Sequence, residues 1–248
     1  MKRLAYLSAF FFLGALSIVL WHGLTEGFHP KKLCSLAMEK GDAKPLKEKL
    51  LADRYYYLAK GRQCYVFVSP KNDHVIKLYR AHLGLKGIFL YLERICKKGD
   101  LYSSEKERHE GWVKSSEIAQ KDLQKESGVF YVHPYPLKKP LKKNIELIDA
   151  LGRSYIVDVS CVPFLLQKKG ETLQSKMEKL LEKKEDKKIH NLIDQYVILQ
   201  KNIREKGIEN LDPCALRNAG SSEKGEVFDL DTGRYVYKEP EKNLKESL

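Results

Sequence analysis

"YYYLAKGRQCYVFVSPKNDHVIKLYR", residues 55–80, decides how the rest of the chain is read. Aromatic and β-branched residues dominate it, in three runs separated by turn chemistry. Tyr55 to Leu58 is the first run, and Gly61-Arg62-Gln63 supplies a turn. Cys64 to Ser69 is the second, followed by Pro70-Lys71-Asn72-Asp73, in which the proline, asparagine and aspartate favour chain reversal. Val75-Ile76-Lys77-Leu78-Tyr79 is the third. Branched and aromatic side chains suit a pleated, half-buried surface, whereas Gly, Pro, Asn and Asp interrupt it. The stretch predicts three consecutive antiparallel strands, with a tight hairpin between the second and third.

Downstream the period changes. Residues 84–127 are mostly helical in pattern: Trp112, Ser116, Ala119 and Leu123 fall on one face, Glu117 lies beside them, and Gly128 ends the helix. "VFYVHPYP" (129–136) is extended. "NIELIDALGRSYIVDVS" (144–160) reads as a second hairpin turning at Ala150 to Arg153. "VPFLLQKKGE" (162–171) is extended and leaves the sheet at Gly170. From Glu171 helices dominate. In "KKIHNLIDQYVILQKNIREKG" (187–207), Ile189, Leu192, Ile193, Tyr196, Leu199 and Ile203 form an apolar stripe, with Gly207 at the C-cap. A loop, "IENLDPCALRNAG" (208–220), and a turn, "SSEKGE" (221–226), lead into a last strand. That strand runs into Asp229, Asp231 and Gly233.

Upstream, "MKRLAYLSAFFFLGALSIVLWHG" carries no charge from Leu4 to Trp21. Eighteen helical residues reach roughly 27 Å, enough for a hydrocarbon core. The segment 1–24 predicts a single-pass membrane or signal anchor. A cleaved signal peptide, with Ala15-Leu16-Ser17 as the cleavage site, is the other reading. Lys2 and Arg3 place the amino terminus in the cytoplasm, whereas Lys31 and Lys32 pull the other way, so the side on which the domain lies stays open. Residues 25–53 read as a helical connector interrupted by Gly41 and Pro45.

The 248 residues suffice for one compact domain or a two-lobed one with an appendage. A hydrophobic share of 43% excludes disorder for the bulk of the chain. The net charge of +12 suits an anionic partner, but the lysines come in scattered pairs and no zinc-finger, RNA-binding or basic-zipper motif accompanies them. A Lys-rich solvated surface is expected and a nucleic-acid partner is not. The five cysteines are odd in number and contain no Cys-x-x-Cys pair, which excludes a zinc ribbon and a complete disulfide framework.

The order of these elements, with acids in those places, resembles the protein-kinase superfamily, as a degenerate domain in a bacterial membrane-anchored protein. "LAKGRQCYV" (58–66) resembles the Gly-rich loop over the ATP phosphates, with Ala59, Gly61 and Cys64 at the three glycine positions and Val66 at the following valine. "VIK" (75–77) resembles the strand-three motif, which implies that Lys77 meets the α- and β-phosphates. Glu117 is the implied partner of that lysine, with Glu110 and Glu107 as rivals. Downstream the resemblance makes Asp212 the catalytic acid–base residue. Asn218 and Asp231, the latter in Asp231-Thr232-Gly233, become Mg²⁺ ligands, and Asp229 faces the other side of its strand. Lys77 and Asp212 are thus the implied catalytic residues, and ATP and Mg²⁺ the implied cofactors.

The sequence departs from the family in three ways. Asn210-Leu211-Asp212 stands in place of His-Arg-Asp, and the interval from Asp212 to Asn218 is one residue longer than the family's. No Ala-Pro-Glu motif follows Gly233. The expected fold is α+β and bilobal: an antiparallel N-lobe sheet over 54–170 and a short helical C-lobe over 171–248, after one hydrophobic helix. The expected function is a membrane-tethered pseudokinase or minimal phosphotransferase. The alternative is a non-catalytic interaction protein that keeps the shape, binds no nucleotide and serves an unidentified protein partner.

Overall fold

The computed structural model describes residues 12–14, 16–17, 20, 23–33, 50–80, 99–134, 144–212 and 214–238. The opening stretch forms β1 (Arg54–Lys60), β2 (Cys64–Val68) and β3 (His74–Tyr79), antiparallel in sequence. The β2–β3 hairpin closes through Ser69, whose backbone bonds to His74 and Asn72 and whose hydroxyl donates to Asp73 at 2.6 Å. Asn72 adopts φ 60°, which asparagine tolerates better than most residues.

Helix α1 (Asp100–Lys121) and the short α2 (Gln124–Ser127) follow, and Gly128 ends α2 at φ 66° as its position predicts. Trp112, Ser116, Ala119 and Leu123 are all buried, as the helical spacing requires. The strands continue as β4 (Val129–His133), β5 (Asn144–Ile148), β6 (Ser154–Asp158) and β7 (Phe164–Lys168). The β5–β6 hairpin turns where predicted, with Asp149 accepting from the Leu151 and Arg153 amides at 2.9 Å each and from the Arg153 guanidinium.

The fold is α+β, with a seven-stranded sheet in the order β4-β7-β3-β2-β1-β5-β6. This corrects one expectation: the sheet is mixed, because β1 and β5 run parallel, with Tyr55 opposite Leu147. Parallel neighbours need a long crossover, which the many residues between these strands supply.

The chain divides into two compact units, each made of two stretches: 1–105 with 133–164, and 106–132 with 165–248.

In the first unit Tyr55, Tyr65, Phe67, Ile76, Leu78 and Leu147 are buried on the sheet. Phe28 packs edge-on against Tyr65, Phe67 and Tyr155 with ring centroids 5.0–5.7 Å apart. Residues 25–33 are therefore a turn and a short 3-10 segment (Pro30–Leu33) docked through Phe28, where a helical connector was expected. Residues 34–49 of that connector lie outside the described residues, as do residues 84–98 of the stretch expected to be helical.

In the second unit β8 (Glu171–Thr172) leads into two further helices. Thr172 caps α3 (Leu173–Glu182) by accepting from the Ser175 amide, and α4 (Asp186–Glu205) follows. Leu173, Leu180, Ile189, Leu192 and Ala219 form its core with Met177, Tyr196 and Val227. Ile193, expected on the buried stripe, is 46% exposed, because the face that packs is narrower than the apolar one. After Gly207 come β9 (Ile208–Asn210), the single turn α5 (Ala215–Asn218), β10 (Ala219–Ser221), β11 (Val227–Asp229) and β12 (Tyr235–Tyr237). β10 lies between β11 and β8, and β12 pairs with β9.

Among the described residues no helix is long and apolar enough to cross a membrane. The predicted span falls largely outside them. Its described members, including Phe12, Leu13, Leu16 and Leu20, are helical and exposed.

Candidate functional site

The stretch between α4 and β12 folds back so that Asn210, Asp212, Asn218 and Asp231 come into one hydrogen-bonded group. The Asn218 carbonyl accepts from the Leu230 amide at 2.7 Å and the Asp231 amide at 3.0 Å. The Asn218 side-chain amide donates to the Asp212 carbonyl at 2.8 Å, and the Asp212 amide donates to Asn210 Oδ1 at 3.0 Å. Three sequence-predicted residues, Asp212, Asn218 and Asp231, thus meet in one hydrogen-bonded loop. The Asn218 side-chain nitrogen is engaged in that bond, and Oδ1 is the side chain's one oxygen.

Asp231 is exposed, and its Oδ1 accepts from the Gly233 amide at 3.0 Å, an Asx turn that fixes the carboxylate at the strand end. Ser115 on α1 holds the turn from below. It accepts from the Tyr235 amide at 2.5 Å and donates to the Thr232 carbonyl.

The acid that the structure buries is Asp229, 2% exposed. Tyr235 donates its hydroxyl to Asp229 Oδ2 at 2.6 Å, and Asn210 and Gln200 reach the carboxylate at 3.4 Å each. Burial pushes its pKa up to about 6 against these donors, and the nearby Asp231 charge adds to the rise. The Tyr235 hydroxyl is pushed well above its ordinary range by burial and by Asp229. Sequence reasoning placed Asp229 on the opposite side of its strand from Asp231 but missed Tyr235, Asn210 and Gln200 as its donors. The only hint was an acid set inside an apolar strand.

In the first unit, Ala59 stands opposite Val66, and Val66 opposite Lys77, so three predicted residues make one row across β1, β2 and β3. Cys64 is buried opposite Tyr79. Gly61 donates its amide to the Cys64 carbonyl at 2.9 Å, closing the β1–β2 turn. A Cβ at Gly61 would meet nothing nearer than that carbonyl at 3.6 Å, so the turn itself does not require glycine.

Glu117 sits on the exposed side of α1. The acid that α1 delivers to strand β3 is Glu105, 6% exposed, which accepts from the Tyr79 hydroxyl at 3.4 Å. Tyr79 and Lys77 are two residues apart on one strand and so share a face. Sequence reasoning missed Glu105, because helical periodicity fixes a face but not its register against a distant strand. Glu105→Gln is expected to cost about 1–3 kcal/mol of stability, and Glu117→Gln within about 0.5 kcal/mol of nothing. Chemical denaturation of both variants checks this.

Among the described residues no three His, Cys, Asp or Glu side chains group to hold a metal by themselves. A cation at Asn218 and Asp231 would need phosphate oxygens to complete its shell, the usual arrangement for Mg²⁺. No protein-family model matches the chain, and no curated protein matches it in sequence.

Proposed function

We propose that this chain is a kinase-like module that binds ATP with Mg²⁺ at the Asp212–Asn218–Asp231 loop and is tethered to a membrane by its amino-terminal apolar segment. The observation that carries this reading is the backbone bond from Asp231 to Asn218. It joins the backbone of Asp231, just past a strand end, to that of Asn218 in the loop after a long helix, in the order the kinase resemblance requires. In this reading Asp231 and the Asn218 Oδ1 offer hard oxygen donors to Mg²⁺, and Asp212 accepts the proton of an attacking hydroxyl. Lys77 is the cation that the resemblance assigns to the α- and β-phosphates, with Glu105 taking the place of Glu117 on its strand face.

The full chain in detergent should show a Mg²⁺-dependent thermal shift with ATP. At a hundredfold excess over Kd, binding adds about 2.7 kcal/mol. Asp231→Ala should abolish the metal dependence and Lys77→Met should weaken the response. Asp212→Ala should leave binding intact and remove any phosphotransfer. No shift at millimolar ATP rejects the proposal. A second reading, a non-catalytic interaction module, draws on Asp229: its donors are all internal, so that acid serves the fold. A folded chain that ignores ATP would favour it.

A further inference from the structure

On the face of the first unit's sheet opposite Lys77, three cations gather around Tyr65. Adjacent strand residues point to opposite faces; Val66 pairs with Lys77, whereas Tyr65 pairs with Leu78 and Lys60. The Tyr65 hydroxyl donates to the Gly27 carbonyl at 2.7 Å, and the Lys32 ammonium donates to the same oxygen at 2.5 Å. The Arg80 guanidinium lies over the Tyr65 ring, 5.2 Å from its centroid, and donates to the Gly61 carbonyl at 3.3 Å. Lys60 reaches Glu26 at 3.3 Å, the one carboxylate among these contacts.

Three positive charges against one negative leave an excess of two. Burial lowers the Lys32 pKa first, and Arg80 and Lys60 lower it further, so these cations feel one another. Two donors are also left over. Arg80 Nε and the Tyr57 hydroxyl are buried and have no hydrogen-bond partner among the described residues. Burial pushes the Tyr57 pKa up to about 12, so its hydroxyl stays a neutral donor. Buried donors are nearly always satisfied in folded proteins. What complements buried donors inside a net positive cluster is an anionic oxygen acceptor with several lone pairs.

We propose that Lys32, Lys60, Arg80 and Tyr57 form a phosphate-binding site separate from the nucleotide loop. The phosphate belongs either to an anionic phospholipid headgroup or to a soluble ion. Position favours the lipid: residues 25–33 directly follow the apolar helical residues, so a membrane-inserted segment sets this cluster at headgroup depth. That preference alone rests on the tether proposed above.

The test uses the full chain in neutral detergent. Thermal stability is followed against inorganic phosphate, short-chain phosphatidylglycerol, short-chain phosphatidylcholine and chloride at matched ionic strength. Wild type should be stabilised by phosphate, phosphatidylglycerol or both, and not by chloride. Lys60→Gln and Arg80→Gln should each weaken the apparent affinity about tenfold, the scale of one lost charge-assisted hydrogen bond. Lys60 is only partly covered, so its variant folds even if Arg80→Gln does not. A response to phosphatidylglycerol alone identifies the headgroup, and a response to inorganic phosphate alone identifies a soluble anion. No response to either, an equal response to chloride or phosphatidylcholine, or unchanged affinity in Lys60→Gln overturns the site. The ATP response is read separately through Asp231→Ala, so the two sites fail independently.

Discussion

Replacing Gly220 by alanine is expected to lower the apparent melting temperature by about 6–12 °C, from about 3 kcal/mol of lost stability in a chain of this size. A Cβ there would stand 2.4 Å from the Glu171 carbonyl and 2.5 Å from Leu230 Cδ1. The leucine can rotate, but the carbonyl cannot move without breaking the pairing of β10 with β8, where Gly220 faces Thr172. The opposite neighbour offers no relief, since Gly220 also faces Phe228 on β11. Gly111 supplies the control: it lies within α1, where an added Cβ meets nothing within 4 Å. Gly111→Ala should raise stability by about 0.5–1 kcal/mol through helix propensity alone. A Gly220→Ala chain that melts within about 2 °C of wild type would mean that β8 and β10 do not approach this closely. Gly220 lies two residues after Asn218, so the variant should also blunt the Mg²⁺–ATP response.

The features legible in the sequence were those set by near neighbours. Alternation and turn residues placed β1, β2 and β3, and the Asp149 hairpin followed from the same rules. The spacing of Trp112, Ser116, Ala119 and Leu123 identified a buried helical face. What stayed hidden depends on partners distant along the chain. The parallel β1–β5 pair has no local signal, because a strand's own sequence does not state its neighbour's direction. Phe28 looked like part of a connector because the rings that receive it, Tyr65, Phe67 and Tyr155, lie much later. Glu105 and Glu117 are both glutamates on one helix, and only the tertiary register separates the buried one from the exposed one. At the loop, the kinase resemblance singled out Asp212, Asn218 and Asp231, and the contacts that join them run mostly through backbone atoms. The burial of Asp229 required Tyr235, Asn210 and Gln200, which no spacing rule connects.

That buried carboxyl makes the second large prediction. Replacing Asp229 by asparagine should gain about 2–2.5 kcal/mol relative to wild type as the pH rises from 4 to 7.5. The folded pKa is about 6, above the unfolded carboxylate value, so the native state holds the proton more tightly. The stability contributed by the neutral carboxyl is fully present below the unfolded pKa and is lost as the pH climbs through the folded one. Asparagine carries no such proton, so its stability lacks that decline. At pH 4 the substitution itself should cost a little. With its oxygen in the place of Asp229 Oδ2 it still accepts from Tyr235 and Asn210, but its amide nitrogen then faces the Gln200 donor. Urea midpoints of both proteins at steps between these pH values give the difference directly, and a flat difference would place the Asp229 pKa near its ordinary value. Repeating the series with ATP and Mg²⁺ links this acid to the loop. A divalent cation on Asp231 would offset the negative charge that helps to raise the Asp229 pKa, so the wild-type decline should shift to lower pH. If ATP and Mg²⁺ stabilise the chain yet leave that decline where it was, the cation binds elsewhere and Asp231 is not its ligand.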